Sequence, residues 1–215
     1  MTRYLKVLGL ALVAALAMSV TAASSASATN FKFHSEGTST VLTGSQHAQN
    51  DVFTTDGGTV SCSNATYSGT QSGATVESVE VTPTYSGCTA FGFINVPIHV
   101  NGCKYKFGTS TTNYQGAVHV VCGSKPIEIT APGCTVTVGT QTPDGNATYT
   151  NVGSGTTREV TVDVNLSGID YTEHDTFEGG CEGPTGTLKT NGTYKGAALV
   201  TGETSKKAHL GIWVG

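Results

Sequence analysis

Apolar and polar residues alternate with a period of two along much of this chain. In the segment 158–166 the valines and the leucine fall on one face, and Thr161 and Asp163 fall on the other. Successive side chains of a β-strand point to opposite faces of its sheet, so this pattern predicts a half-buried antiparallel strand. The segment 208–214 shows the same alternation, with Trp213 opposite the aliphatic residues.

The same pattern recurs between turn signals along the rest of the chain. It predicts further strands at 38–43, 50–55, 58–68, 75–85, 102–108, 115–122, 127–130, 134–139, 147–152 and 193–201. Past the N-terminal segment, no window of about 11 residues carries apolar residues at helical spacing. We therefore expect an all-β fold, an antiparallel β-sandwich stapled by disulfides. A β-barrel-like arrangement or two packed β-subdomains are the alternative architectures.

The first 28 residues have the character of an export signal. Arg3 and Lys6 precede an uncharged segment at 7–20, and small residues at 26–28 supply a cleavage site. The apolar segment is shorter than the roughly 20 residues that a helix needs to cross a bilayer. The sequence predicts a signal peptide at 1–28 and a single soluble all-β domain at 29–215, without a membrane span.

The charge balance argues against nucleic acid as a partner. The chain has 11 basic and 15 acidic residues, and its formal charge of −4 becomes about −6 when two basic residues, Arg3 and Lys6, leave with the signal. Binding to phosphates needs clustered lysine and arginine, and Lys206 and Lys207 form the only adjacent basic pair in the sequence.

The chain has six cysteines, all downstream of the predicted signal, at Cys62, Cys88, Cys103, Cys122, Cys134 and Cys181. An even number of cysteines in an exported chain predicts disulfides. Cys103 and Cys122 lie symmetrically about a turn at 111–114, in a register that sets Tyr105 opposite Val120. Both cysteines then face the core across one hairpin, and we expect them to be bonded.

The other two bridges are less constrained by the sequence. Cys62 and Cys88 flank the strands on either side of the turn at 71–73, which makes them the next pair and leaves Cys134 with Cys181. Six cysteines allow many pairings, so the full connectivity stays open. A zinc cluster would need closely spaced ligands, and no two cysteines are nearer than 12 residues.

The segment 170–182 is the sharpest candidate for chemistry, since it holds several carboxylates and one imidazole beside a cysteine. Asp170, Glu173 and Asp175 could converge from one loop, and carboxylate oxygens are ligands that calcium prefers. The spacing does not match an EF-hand, and a solvated acidic loop is the simpler interpretation. Acid–base catalysis by Glu173 or Asp175 with His174 is a further alternative. No cofactor is expected apart from this candidate calcium ion.

Phe91 and Phe93 lie in an apolar, glycine-containing stretch directly after Cys88. If that stretch is a loop, the two rings could form a ligand-binding patch for a sugar, a lipid or a protein. The alternative is that they plug one end of the core.

Several loose motifs together resemble small secreted, cysteine-containing all-β proteins of actinobacteria. The resemblance rests on residues 59–62, 82–88, the two Gly-Cys hairpins and the closing residues 211–215, and it covers most of the chain after the signal. It implies export and a β-rich fold, and it supplies no catalytic residue.

The sequence thus favours a secreted, non-catalytic β-sandwich protein that acts in binding or structure outside the cell or in the cell envelope, including the cell wall. Its partner would be an extracellular protein or a surface polymer that the sequence does not identify. The alternatives are a secreted hydrolase or calcium-binding protein that uses 170–182, and a secreted inhibitor or toxin.

Overall fold

The computed structural model describes residues 31–110, 114–181 and 184–215. Within these ranges the chain is built from β-strands, with one 3-10 turn at Gly155–Thr157. In chain order the strands are β1 (Phe33–Ser35), β2 (Thr40–Gln46), β3 (Asp51–Thr55), β4 (Gly58–Gln71), β5 (Thr75–Val76), β6 (Ser78–Ala90), β7 (Ile94–Asn95), β8 (Ile98–His99), β9 (Lys104–Gly108), β10 (Gln115–Gly116), β11 (Val118–Val121), β12 (Ile127–Ala131), β13 (Cys134–Val138), β14 (Asp144–Val152), β15 (Glu159–Asp175), β16 (Leu188–Glu203), β17 (His209–Leu210) and β18 (Ile212–Val214). The predicted all-β antiparallel fold is confirmed. The predicted signal peptide at 1–28 lies outside the described residues.

Strand β15 shows how the alternation is used and where it shifts. Val160 and Leu166 are buried on its inner face, as the sequence predicts. At Gly168 the backbone adopts a φ of 62°, and the register with β16 shifts between Leu166 and Ile169. A β-bulge of this kind reverses the face that each later residue occupies, so Ile169 and Glu173 become buried. The predicted strand ends at residue 166, whereas β15 continues through the bulge to Asp175.

The strands of the described residues form two sheets, a 3-stranded sheet in the order β18-β1-β5 and a 15-stranded sheet. Pairing within the large sheet closes into a ring through β2, β4, β6, β9, the β10–β11 segment, β14, β15 and β16, which pairs back with β2. Only Ala117 separates β10 from β11, and β10 pairs with β14 while β11 pairs with β9. The two layers of the sandwich are thus joined by hydrogen bonds at both edges, so the fold combines the predicted sandwich with the closure of the barrel-like alternative.

The four longest strands, β4, β6, β15 and β16, extend past this ring and carry further pairing. Strand β3 lies between β4 and β16, in line with β2, and β13 pairs with the later part of β15. Strand β12 pairs with β13 on one side and with β8 on the other. Near the Cys62–Cys88 bridge the inward faces of β4 and β6 both shift, where Gly87 takes a φ of 60°.

The 3-stranded sheet packs across one end of the ring. Phe33 and Val214 from this sheet are buried, and the Phe33 ring meets Tyr149 edge-on at 5.2 Å between centroids. The side-chain amide of Asn151 donates to the carbonyl of Val214 at 2.8 Å and accepts from its N–H at 2.9 Å. This side chain therefore satisfies both backbone groups of the sheet's edge residue and ties the C-terminal strand to β14.

All six cysteines are paired, as Cys62–Cys88, Cys103–Cys122 and Cys134–Cys181. The predicted register of the Cys103 hairpin is also confirmed, since Tyr105 lies opposite Val120. Its turn at 111–114 lies mostly outside the described residues. Three disulfides indicate a stabilised protein from an oxidising, extracellular environment.

No helix in the described parts of the chain is long and apolar enough to cross a membrane.

Candidate functional site

The interior of the sandwich contains a cavity of about 140 Å³ with an almost wholly apolar lining. Its wall includes Phe107, Val162, Val164 and Val200, which point inward but keep some accessible surface because they border the cavity. Native cores are close-packed and rarely contain voids larger than a water molecule. A cavity of this size is comparable to engineered cavities of about 150 Å³ that stay dry and bind benzene.

Small residues on the inner faces of β2 and β16 let larger side chains of the cavity wall pack against the backbone. Gly44 and Gly196 lie on the wall together with Ala198. A Cβ at position 44 would lie 3.1 Å from the Cβ of Tyr67, so the Tyr67 side chain packs directly on the backbone of β2. The tyrosine thus occupies part of the volume that a larger residue at position 44 would fill.

A buried carboxylate, Asp51, lies in the same wall and is 2% exposed. Tyr194 donates its hydroxyl hydrogen bond to Oδ1 at 2.7 Å, and Tyr67 donates to Oδ2 at 3.1 Å. The two hydroxyl oxygens are 3.2 Å apart. A Cβ at position 196 would lie 1.8 Å from Oδ1, so only glycine at 196 lets the carboxylate approach β16 this closely.

A second hydroxyl pair extends the polar cluster across the cavity wall. Tyr85 and Tyr105 are joined by a hydrogen bond of 2.8 Å between their hydroxyl oxygens. The Tyr85 ring also meets the Tyr67 ring edge-on, with 6.5 Å between centroids. Four tyrosines from β4, β6, β9 and β16 therefore form one cluster, and Tyr67 and Tyr194 bind the carboxylate.

Burial governs the protonation of these groups. It raises the pKa of Tyr105 to about 12, and it raises the pKa values of Tyr67, Tyr85 and Tyr194 as well. These hydroxyls stay neutral at physiological pH and remain able to donate. Burial also raises the pKa of the Asp51 carboxyl above its ordinary value of 3.8, while hydrogen bonds from Tyr194 and Tyr67 oppose that rise.

Sequence reasoning did not find this cluster. Asp51 is the second residue of the predicted strand 50–55 and the first residue of β3, where its side chain is buried. Tyr67 and Tyr194 are far apart in sequence. The pairing of β3 with both β4 and β16, and of β2 with β4 at Tyr67, brings them to Asp51.

The predicted calcium ligands are not brought together. Asp170, Glu173 and Asp175 all lie on β15 rather than in a loop, and Asp170 points to the opposite face from the other two. Asp175 accepts a hydrogen bond from the backbone N–H of Cys181 at 2.6 Å. The structure therefore does not assemble the three-carboxylate arrangement on which the expectation of calcium depended.

Glu173 is buried and instead forms an ion pair with a partly exposed lysine. Its Oε2 lies 2.9 Å from the Nζ of Lys189, which also lies 3.7 Å from a carboxylate oxygen of Asp56. The hydrogen bond to Glu173 raises the pKa of Lys189. The neighbouring residue His174 is exposed on the other face of β15, so the strand separates the imidazole from the Glu173 carboxylate.

Among the described residues, one group of candidate metal ligands has its atoms within 4.8 Å of one another, namely Cys134, Glu173 and Cys181. Its two sulfurs are bonded to each other in a disulfide. A disulfide cannot supply the thiolates that bind metal ions, so this group is a structural bridge beside an ion pair.

Phe91 and Phe93 lie at the turn between β6 and β7 and are 64% and 78% exposed. They do not plug the core, which was the alternative to a surface patch. A Cβ at Gly58 would lie 3.1 Å from the Phe91 ring, so that ring leans over the start of β4. Neither residue lines the interior cavity.

No protein-family model matches the chain, and no curated protein or solved structure gives a significant match.

Proposed function

We propose that this protein is a non-catalytic, extracellular binding protein that holds a small, mainly apolar molecule inside its β-sandwich. The observation that carries the proposal is the cavity of about 140 Å³. Apolar ligands gain free energy when they leave water for such a space, at about 25 cal/mol for each Å² of apolar surface that is buried.

The walls of the cavity are suited to keeping it open in the absence of ligand. The ring of paired strands fixes the backbone on both layers, and the Cys103–Cys122 bridge closes the hairpin that carries Tyr105 and Phe107. A binding site that does not have to form on binding avoids part of the entropic cost of ordering its side chains. The disulfides thus support the proposal in two ways: they make the cavity wall rigid, and they are typical of extracellular proteins.

The polar groups of the wall are consistent with a ligand that is apolar over most of its surface. The tyrosine hydroxyls and Asp51 hydrogen-bond one another, and the remaining wall is formed mainly by aliphatic and phenylalanine side chains. Pockets that bind small molecules typically combine an apolar wall with few, well-placed polar groups.

Toluene is a suitable first probe, and NMR of the valine methyl groups is the measurement. We expect saturable shifts at Val162 and Val164. The variant Ala198→Leu fills the cavity and should abolish them. The matched control Ser68→Leu makes a similar change on the exposed face of β4 and should retain binding. Failure of toluene to shift the cavity valines at saturating concentration would overturn the proposed function.

A further inference from the structure

The Asp51 carboxylate is a buried acid without a basic partner. Within the described residues, no lysine, arginine or histidine nitrogen lies within 4.0 Å of its oxygens. Its neighbours from the elements packed around it are Tyr67 on β4, Tyr194 on β16 and Tyr105 on β9. Burying a carboxylate without a counter-charge costs free energy of folding. An apolar side chain at position 51 would fill the same space without that cost.

The surrounding residues are arranged to keep the carboxylate where it is. Gly196 leaves the space that Oδ1 occupies, and two tyrosine hydroxyls each donate to a different oxygen. An ionised carboxylate has about four acceptor positions, so each oxygen retains the capacity to accept from a ligand.

We propose that Asp51 is the recognition residue of the cavity, and that it binds the ammonium group of a small organic amine whose apolar body fills the remaining space. The inference rests on the proposed function, because it names the polar group of the ligand that the cavity is proposed to bind. The ammonium supplies the missing counter-charge beside the hydroxyl groups of Tyr67 and Tyr194.

A neutral ligand with a hydroxyl group is the competing choice. It could donate one hydrogen bond to Asp51, but it would leave the carboxylate without a counter-charge. Both ligands would make a charge-assisted hydrogen bond to the ionised carboxylate, but only the ammonium group also carries the opposite charge, so the amine is favoured wherever Asp51 is ionised. The acidic net charge of the chain, −4 by formal count, also attracts cations to the molecule.

Three probes of one shape test the inference on the wild-type protein by calorimetry near neutral pH: toluene, benzyl alcohol and benzylamine. We expect benzylamine to bind about tenfold more tightly than benzyl alcohol. Binding of toluene without an advantage for benzylamine over benzyl alcohol would overturn the inference and leave the proposed function standing. Absence of binding by all three probes would overturn both.

The variant Asp51→Asn tests whether the advantage comes from this carboxylate. It should keep toluene binding and lose the preference for benzylamine. The control Glu80→Gln removes the same charge from the outer face of β6 and should keep the preference. An unchanged preference in Asp51→Asn would contradict the inference.

A pH series on the wild-type protein gives a second readout that does not depend on how a variant folds. The preference for benzylamine should decline as Asp51 becomes protonated, which the NMR shift of its carboxyl carbon reports. Toluene binding should not change over the same range. A preference that persists after Asp51 is protonated would count against the inference.

Discussion

The Nζ of Lys189 lies 2.9 Å from Oε2 of Glu173, whose side chain is 2% exposed. This pair ties β16 to β15 at the end of the molecule where the Cys134–Cys181 bridge also lies. The pair explains why an acidic segment that resembles a cation site in sequence has a structural role here. The cation it holds is a lysine of the same chain.

Removing the lysine should therefore be costly. Lys189→Met leaves the buried Glu173 carboxylate without its counter-charge, and we expect a loss of about 1–3 kcal/mol, less than for a fully buried pair because the lysine is partly exposed. Urea unfolding measures the loss. The control Lys104→Met breaks an exposed pair with Glu80 at 3.4 Å and should cost at most about 1 kcal/mol. Equal losses in the two variants would show that the Glu173 pair does not stabilise the fold.

Gly196 should be intolerant of even one added methyl group. In Gly196→Ala the new Cβ would lie 1.8 Å from Oδ1 of Asp51 and 2.7 Å from the Tyr194 hydroxyl, so the carboxylate must move. We expect a loss of about 1–3 kcal/mol in free energy of unfolding, as for other overpacked cores. Gly139→Ala is the control, since a Cβ there meets nothing within 4 Å. A variant at 196 that is as stable as the control would contradict the described packing of Asp51.

Local features of this fold could be predicted from the sequence, and the candidate site could not. The Cys103–Cys122 pair could be predicted because the two cysteines lie at equal distances from one turn, on adjacent strands. The bulge at Gly168 carries no comparable signal, and it decides whether Glu173 is buried or exposed. The Asp51 cluster depends on which distant strands pair, and the alternation pattern along a single sequence does not reveal that pairing.

The three disulfides should differ in their contributions to stability. The Cys134–Cys181 bridge spans 47 residues and Cys103–Cys122 spans 19. The longer loop restricts the unfolded chain more, by about 1 kcal/mol in the chain-entropy model. We expect the double alanine variant at 134 and 181 to lose correspondingly more stability than the variant at 103 and 122. Denaturant unfolding of both variants gives the comparison, and a larger loss from the shorter loop would contradict it.

Asp51 should make the stability of the protein depend on pH in an unusual direction. Its pKa is raised in the folded state above the ordinary value of 3.8, chiefly by burial. Between 3.8 and the higher folded value, the folded protein binds more protons than the unfolded chain, so the contribution of Asp51 to stability falls as pH rises. The stability of Asp51→Asn relative to the wild type should therefore increase from acidic to neutral pH. Urea unfolding across that range measures the difference between the two proteins. A difference that stays constant, or that changes in the opposite direction, would show that the carboxylate is stabilised in its ionised form without a ligand, and it would remove the need for a counter-charge on which amine recognition depends.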